Sequence, residues 1–379
     1  MRNPPLSLYV HIPWCVQKCP YCDFNSHGLK SALPEKEYVA HLLDDLAQDA
    51  KRVDTRQVDT VFIGGGTPSL FSAQAMADII NGIKARVNLA ENAEITMEAN
   101  PGTVEAGKFL GFYEAGVNRI SVGIQSFQPQ HLQVLGRIHN SHQAENAVKQ
   151  AHVAGLPTFN LDLMHGLPNQ SVENALSDLN KGIALNPYHL SWYQLTIEPN
   201  TPFYSRPPEL PDDDILWEIQ QQGHQRLEAA GYAQYEISGY AKVGHQCQHN
   251  LNYWRFGDYL GIGCGAHGKI TDVVNGTIHR TVKVKHPRGY MEISRPYIDN
   301  ETQVEKHDVP FEFFMNRFRL VEPCPIEDYY ALTGQVLSDD VKKALEDAQR
   351  QGLLDITSTH WQVTAKGRRY LNSLLSCFV

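Results

Sequence analysis

Three cysteines near the N-terminus have the spacing of a metal-cluster loop. Cys15, Cys19 and Cys22 form a C-x3-C-x2-C pattern. The seven peptide steps from the first to the last extend at most ~25 Å, so one short loop can wrap a small inorganic cluster. Cysteine thiolates hold iron–sulfur clusters, normally four to a cubane. Because the loop supplies three, we expect a [4Fe-4S] cluster with one open iron, at which a ligand or chemistry can enter.

A structural zinc loop, or a set of free thiols, is the alternative interpretation of this pattern. Structural zinc sites usually take four ligands in closely spaced pairs, and no second cysteine pair lies nearby. The other four cysteines are scattered singly, at Cys247, Cys264, Cys324 and Cys377. An odd, scattered set is not a disulfide framework. Cysteines that stay reduced are typical of the cytosol, so we expect a cytoplasmic protein.

Composition indicates an ordinary globular protein. The chain has 379 residues, of which 42% are hydrophobic and 20% charged, and this length suits two or three domains. The first residues lack the apolar stretch of a signal peptide, and no run is long enough for a transmembrane helix. The formal charge of −9 argues against a nucleic-acid partner, which clustered Lys and Arg would bind.

Strand-like apolar runs alternate with amphipathic helical stretches. The predicted strands are Leu6–Ile12, Val58–Ile63, Glu94–Glu98, Arg119–Gln125, Thr158–Met164 and His189–Ile197. The predicted helices are Glu35–Arg52, Ala73–Val87, 103–116, 141–154 and 171–184. Alternating βα units imply a parallel sheet. Six such units fit an α/β fold with a partial (β/α)6 barrel better than a closed eight-stranded one.

Polar motifs follow or end five of these strands. The cysteine loop follows the first strand, and Gly-Gly-Gly-Thr-Pro at 64–68 follows the second. Glu98, Gln125 and Asp162 lie at or near the ends of the next three. Because the C-terminal strand ends form the active-site face of a parallel barrel, the five motifs should meet at one mouth.

Each motif also has a simpler explanation. The glycines could form only a tight turn, although they would also let the backbone approach a ligand closely. Glu98 could cap the next helix, while Gln125 and Asp162 could be hydrogen-bonded core residues. Arg137 could be a solvated cation or pair with a carboxylate at the mouth. Their convergence favours a binding site.

The cysteine motif, with Tyr21 before its last thiol, resembles the signature of the radical S-adenosylmethionine (SAM) superfamily. In that family the open iron takes the amino and carboxylate groups of SAM. The runs around Tyr9, the glycines, Glu98, Gln125 and Asp162 resemble the coproporphyrinogen dehydrogenase-like (HemN-like) group, over roughly residues 6–200 and more weakly beyond. The resemblance implies that SAM contacts eight residues: Tyr9, Gly65, Gly66, Thr67, Glu98, Gln125, Arg137 and Asp162.

Two departures argue against coproporphyrinogen oxidation. The dehydrogenase continues its motif as C-x3-C-x2-C-x-C, whereas this chain has Phe24 in the last position. That enzyme also has a long segment before its first strand, and only about five residues precede the strand here. We therefore expect a different activity.

A second motif replaces the missing features. His249 begins the run His-Asn-Leu-Asn-Tyr-Trp, and Cys247 and His267 lie nearby. The H-N-x-x-Y-W pattern resembles the signature of the heme-chaperone branch of the group. Histidine is a common axial heme ligand, so the resemblance implies that His249 binds heme, with Cys247 and His267 as rival ligands. Without it, His249 would be interpreted as a hydrogen-bonded surface residue in an Asn-rich loop.

The sequence divides into three predicted domains. Residues 1–205 form the radical SAM partial barrel, 206–300 an extension carrying the H-N-x-x-Y-W segment, and 301–379 a smaller winged-helix-like α+β domain. The helix predicted at Ser338–Gln351 carries three basic and four acidic residues. A recognition helix with net negative charge is a poor partner for DNA, so a lid or protein-interaction module is favoured.

The resemblance to the heme-chaperone branch, together with the two departures from the dehydrogenase, implies a heme chaperone with a [4Fe-4S] cluster and exchangeable SAM. Its partners would be heme and a heme-accepting apo-protein, for which a respiratory complex is one candidate. Oxygen-independent coproporphyrinogen III oxidation by radical SAM chemistry is the alternative. Radical modification of another tetrapyrrole is a weaker third hypothesis.

Overall fold

A sheet built around six parallel strands forms the centre of the fold. The computed structural model describes residues 1–104, 107–292 and 294–378. The six strands are β1 Leu6–Ile12, β2 Gln57–Gly65, β3 Asn88–Ala99, β4 Arg119–Gln125, β5 Thr158–His165 and β6 His189–Gln194. Each pairs in parallel with the next one along the chain. Consecutive parallel strands require crossover connections, which here contain helices.

Helices follow these strands and pack on the outer face of the sheet. They are α1 Glu35–Asp49, α2 Ala73–Lys84, α3 Lys108–Ala115, α4 Ser141–Val153, α5 Val172–Ala184 and α6 Asp213–Ala229. Local sequence fixes their starts: Asn140 and Gln143 form a capping box for α4, as Ser171 and Asn174 do for α5. Apolar side chains of the strands, such as Leu8 of β1, are fully buried in the main hydrophobic core.

The parallel unit agrees closely with the sequence prediction. The bounds of β1 and β4 are those predicted, β2, β3 and β5 are longer, and β6 ends at Gln194 rather than Ile197. Helix α2 ends at Lys84, three residues early. Positions 105 and 106, within the helix predicted near 103–116, lie outside the described residues. The fold is the α/β partial barrel that the sequence predicted.

The sheet continues past both edges of the six-stranded unit. On one side β7 Asp258–Ile262 pairs in parallel with β1. It is followed by three antiparallel strands: β8 His267–Asp272, β9 Thr277–Lys283 and β10 Ile298–Gln303. On the other side the short strands Gly239–Ala241 and Ala233–Gln234 extend β6. Over the described ranges the result is a mixed sheet of twelve strands.

The C-terminal residues pack around a second hydrophobic cluster, which includes Phe313, Phe314, Tyr329 and Trp361. Its helices are α8 Val309–Arg317, α9 Ile326–Thr333, α10 Asp339–Arg350, α11 Ala365–Arg369 and α12 Leu371–Leu375. The strands Leu354–Ile356 and His360–Val363 form the wing hairpin, with Cys324–Pro325 as its third strand. None of the helices in the described residues is long and apolar enough to cross a membrane.

A buried ionic cluster fastens the antiparallel extension to α1. Lys283 of β9 donates to Asp45 at 2.5 Å and to Asp49 at 2.8 Å, and all three side chains are buried. Asp45 also accepts hydrogen bonds from Tyr290 and from the N–H of Gly263. Buried charges are tolerated only when they are paired in this way, so the cluster fixes where β9 lies relative to the barrel.

Candidate functional site

The cysteine loop leaves the C-terminal end of β1 and closes on itself. The two-residue strands Trp14–Cys15 and His27–Gly28 pair in parallel, and the N–H of Leu29 donates to the carbonyl of Cys15 at 2.9 Å. Within the loop the N–H of Cys22 donates to the carbonyl of Cys19. The backbone therefore holds the three half-buried thiols in one compact loop.

The three thiols fit a cluster better than a single metal ion. Within the described residues, no three side chains of His, Cys, Asp or Glu converge closely enough to hold one ion. A cubane does not need such convergence, because each thiolate binds a different iron. Burial raises the pKa of Cys15 and of Cys22, and binding to iron would supply the charge compensation that their thiolates need.

Arg137 lies beside the cysteine loop. Its guanidinium contacts Cys19 Sγ at 3.7 Å and donates to the carbonyl of Gly123 at 2.6 Å. Its Nε is buried and has no partner among the described residues. Gly136 makes this approach possible, because it has φ +65° and a Cβ there would meet Pro20 at 2.9 Å. A cation placed here can stabilise thiolate or carboxylate charge.

The glycine turn after β2 packs directly against the cysteine loop. The N–H groups of Gly66 and Thr67 donate to the carbonyls of Ile12 and Trp14, each at 2.7 Å. Gly65 has φ +112°, and a Cβ there would lie 2.5 Å from the His11 ring. The turn therefore needs glycine for packing as well as for any approach by a ligand.

Glu98 is a partly buried acid at the mouth. Its Oε2 accepts a hydrogen bond from the N–H of Gly65 at 3.0 Å. Burial, and secondly the charge of Asp162, raise the pKa of Glu98 to about 8, against the opposing effect of that hydrogen bond. A buried carboxyl with this pKa takes up a proton in the absence of a cation and would ionise for a cationic ligand.

Asp162 of β5 lies close enough to Glu98 for its charge to affect that carboxyl, and Gln125 ends the intervening strand β4. Asp162 accepts hydrogen bonds from Ser121 and Asn160, both at 2.8 Å. Burial raises its pKa, and these hydrogen bonds oppose the rise. Gln125 has φ +68° and accepts a hydrogen bond from Tyr193 at 2.7 Å. The structure thus brings the eight predicted SAM residues and the three cysteines to the same end of the barrel.

A chain of hydrogen bonds runs from Asp162 down through the barrel. Asn160 Oδ1 lies 2.6 Å from His189 Nδ1, and His189 Nε2 lies 2.8 Å from the hydroxyl of Tyr235, which accepts from the N–H of Cys247 at 3.3 Å. The tautomer follows: the Tyr235 hydroxyl donates to Nε2, and Nδ1–H donates to Asn160. Every donor therefore points towards Asp162.

The series of hydrogen bonds ends at Cys247, just before the start of a helix. The H-N-x-x-Y-W run, expected to be a loop, forms the helix α7 Gln248–Trp254. Glu94 of β3 accepts from the N–H groups of Gln248 and His249, at 3.1 and 3.0 Å, and so caps α7 from a distant part of the sequence. Cys247 is buried against the same carboxylate, and burial raises its pKa to about 12.

His249 lies inside the protein rather than on a surface loop. It is 1% exposed, and its ring packs between Phe62 and Tyr253, with centroids 5.1 and 4.7 Å away. Nδ1 bonds to Thr60 at 2.8 Å, while Nε2 is buried without a partner among the described residues. Burial lowers its pKa to about 3, so the imidazole is neutral. Nε2 carries the lone pair in the tautomer in which Nδ1–H donates to Thr60.

A cavity of about 970 Å³ opens at the mouth. Tyr9, Gly65 and Glu98 line one side, and Tyr253 and Trp254 of α7 line another. Phe24 adds a further aromatic side chain to the lining, and His267 a histidine. The lining also carries the cations Lys18, Arg280 and Lys285 and the acids Asp23 and Glu198. Neither His249 nor Cys247 is among the described residues that line it. Its size is at the upper end of the range for small-molecule sites, about 300–1,000 Å³.

Sequence reasoning missed several residues of this site. Asn25 fastens the cysteine loop to the sheet extension, because its Nδ2 donates to the carbonyls of Cys264 and Lys285 at 2.9 and 2.8 Å. His11 bonds to Tyr9 and to the carbonyl of Asn25. Proximity to the cysteine motif could have indicated Asn25 and His11. No sequence signal joins Lys285 to a loop 260 residues away.

Comparison with protein-family models gives two matches. Residues 9–179 match the radical SAM superfamily, and residues 304–370 match the HemN C-terminal domain. The second match covers most of the C-terminal helices and the wing hairpin.

Comparison with individual proteins gives matches over the full chain. The chain is 60% identical to the heme chaperone HemW of Escherichia coli, over all of this chain and 99% of that protein. It is 57% identical to HemW of Haemophilus influenzae, over 100% of this chain and 99% of that protein. It is 31% identical to HemW of Bacillus subtilis, over 98% of this chain and 99% of that protein. Among solved structures, coproporphyrinogen III oxidase (HemN) of Escherichia coli superposes with a TM-score of 0.84 at 22% identity, over 99% of this chain and 90% of that one.

Proposed function

This chain belongs to the HemW group of radical SAM proteins, and from that premise we propose that it is a heme chaperone. It would hold a [4Fe-4S] cluster and exchangeable SAM at the barrel mouth, and bind heme for transfer to an acceptor apo-protein. The observation that carries the proposal is the shared cavity, which both SAM-site residues and α7 residues line: Glu98 and Gly65 from the first set, Tyr253 and Trp254 from the second.

Cys15, Cys19 and Cys22 would hold the cluster, which would supply a coordination site for the amino acid end of SAM. Arg137 stands against Cys19 and offsets thiolate charge. The compact loop is held by Asn25, which ties it to the sheet beneath.

Glu98 and Asp162 would bind the cationic part of SAM. Two neighbouring carboxyls repel each other when both are ionised, and the raised pKa values of both reflect mainly their removal from water. A sulfonium or ammonium group between them relieves that cost. Gly65 orients Glu98 through its N–H, and Ser121 and Asn160 orient Asp162.

Heme suits the rest of the cavity. Phe24, Tyr253 and Trp254 offer aromatic surface to a flat porphyrin. Lys18 and Lys285 offer cations to its anionic propionates. His249, the ligand implied by the motif, has the neutral ring and free Nε2 that ligation needs. It could reach the cavity only after Tyr253 moves aside, because that ring lies against it.

The second candidate function, coproporphyrinogen oxidation, is favoured by one observation, the shared fold with the solved oxidase. A fold hosts many functions. Phe24 occupies the position of the additional thiol, lines the cavity and is 55% exposed. Because a phenylalanine ring cannot supply the chemistry of a thiol, Phe24 favours a cavity that binds heme over one that oxidises coproporphyrinogen.

The test is heme titration of the anaerobically reconstituted full-length protein. We expect a Soret band that saturates at one heme per chain, and heme transfer to an apo-cytochrome b added in excess. A protein lacking the cluster, Cys22→Ala, should show whether transfer depends on it. Absence of saturable heme binding would contradict the proposal.

A further inference from the structure

We infer that His267, facing the cavity from the start of β8, is the axial ligand of the bound heme, and that Lys285 pairs with a propionate. This inference rests on the proposed function and assigns its ligand. It differs from the assignment implied by the H-N-x-x-Y-W motif, in which His249 binds the iron.

Among the residues that the structure describes, three histidines line the cavity: His11, His27 and His267. Both ring nitrogens of His11 are engaged, Nδ1 by Tyr9 at 2.9 Å and Nε2 by the carbonyl of Asn25 at 2.8 Å. His27 Nε2 lies 3.3 Å from the carbonyl of Lys285. The ring of His267 makes no hydrogen bond to the described part of the chain, and the residue is exposed. It is therefore the cavity histidine whose nitrogens are both available to a metal.

The surroundings of His267 keep it in the form that binds iron. Burial, and then the charges of Lys285 and Arg280, lower its pKa. The imidazole is consequently neutral at pH 7 and presents a lone pair, as a heme ligand must. His249 is also neutral, but Tyr253 and Phe62 enclose its ring and it does not reach the cavity wall.

The basic groups near His267 suit the anionic edge of heme. Arg280 is already paired, with Glu312 at 2.5 Å and with the hydroxyl of Tyr259 at 2.8 Å. Lys285 is exposed on the cavity rim, and its side chain has no salt bridge within the described residues. A propionate would give Lys285, whose charge acts on His267, an anionic partner on the same cavity lining.

The matched variants are His267→Gly, His249→Gly and, as a control outside the cavity, His279→Gly on the adjacent strand. Each is reconstituted, checked for normal iron and SAM content to show that it is folded, and titrated with ferric heme. We expect His267→Gly alone to lose the Soret and electron paramagnetic resonance signature of histidine ligation. Added imidazole should restore that signature, because the vacated space can hold the free ring.

Lys285→Ala provides a second, independent readout. It should weaken binding of heme, but change binding of heme dimethyl ester little, since the ester lacks the propionate charges. An unchanged heme spectrum in His267→Gly, with the loss appearing in His249→Gly instead, would overturn this inference and leave the chaperone proposal standing. Failure of the wild-type protein to bind heme at all would overturn both.

Discussion

The carboxylate of Glu98, at the end of β3, accepts a hydrogen bond from the backbone N–H of Gly65, at the end of β2, over 3.0 Å. This contact joins the acid to the glycine turn, which is itself bonded to the cysteine loop. Glu98 and the glycine turn, two of the proposed SAM-binding elements, are thus joined by a hydrogen bond. A change in the charge of Glu98 would therefore alter the hydrogen bond made by the turn at the proposed SAM site.

SAM binding should depend on pH through Glu98. Its pKa is raised to about 8, so the free protein holds a proton there at neutral pH. A cationic ligand favours the ionised form, and binding must then release the proton. The affinity for SAM should therefore rise with pH, by up to about tenfold per unit, and level off above about 8. Calorimetry in buffers of different ionisation enthalpy measures the proton released.

Glu98→Gln is the matched variant for that experiment. It should bind SAM more weakly, independently of pH in this range, with normal iron content. A folded-state pKa above the unfolded value destabilises the wild-type apo-protein as pH rises from about 4.5 to 8. The variant should therefore gain stability relative to wild type over that interval. A wild-type affinity that does not change between pH 6 and 8 would count against Glu98 as a SAM ligand.

Gly65→Ala should disrupt the turn. The residue has φ +112°, and the new Cβ would lie 2.5 Å from the His11 ring, so the variant combines backbone strain with a clash. Gly155→Ala is the control, because Gly155 has φ +70° but open space around it. The control should lose only the strain energy, about 1–2 kcal/mol. Gly65→Ala should lower the free energy of unfolding in urea by more than the control does, and should also lose SAM binding. An equal loss of unfolding free energy in the two variants would refute the packing argument.

The cluster should depend on three thiols. Replacing Cys15, Cys19 or Cys22 with Ala should lower the iron content from about four per chain and abolish the iron–sulfur absorption. Cys264→Ser tests whether a fourth thiol takes part, since Cys264 lies beneath the loop and contacts Asn25 at 3.7 Å. We expect it to keep its cluster. If Cys264→Ser lost iron while its thermal unfolding midpoint stayed unchanged, Cys264 would be identified as a fourth ligand.

Lys283 is predicted to matter for stability alone. Lys283→Ala leaves Asp45 and Asp49 buried without their cation, which costs about 3–5 kcal/mol when a buried pair is broken. Burial raises the pKa of Asp45 to about 6, and the loss should be smaller at acidic pH, where protonation neutralises this carboxyl. Lys84→Ala, on the exposed end of α2, is the control and should be near neutral. A loss below about 1 kcal/mol for Lys283→Ala would show that the cluster is not stabilising.

The parallel barrel could be predicted because its information is local. Strands β1 to β6 are short apolar runs separated by amphipathic helices, and that alternation fixes a parallel sheet. The polar residues at the strand ends then had to meet at one end of the barrel. Cys15, Gly65 and Glu98 do so in the structure.

The antiparallel extension and the position of His249 could not be predicted in the same way. Strand β7 pairs with β1 across some 250 residues, and periodicity carries no information on such partners. Helix α7 is rich in Asn, which has a weak helix preference. Its start is stabilised by Glu94, 155 residues before His249. The residue therefore ends up inside the barrel rather than in the surface loop that its neighbours suggested.

The last prediction separates the chaperone from the oxidase. Phe24 stands where the oxidase signature has a further thiol and contributes its ring to the cavity wall. We expect no conversion of coproporphyrinogen to protoporphyrinogen by the protein with intact cluster, reductant and SAM, in an assay where the Escherichia coli oxidase turns over. Phe24→Cys restores the thiol but not the substrate contacts, so it too should be inactive, while its smaller side chain should weaken heme binding. Robust turnover by the wild-type protein would overturn the chaperone proposal, and turnover by Phe24→Cys alone would show that a single thiol divides the two activities.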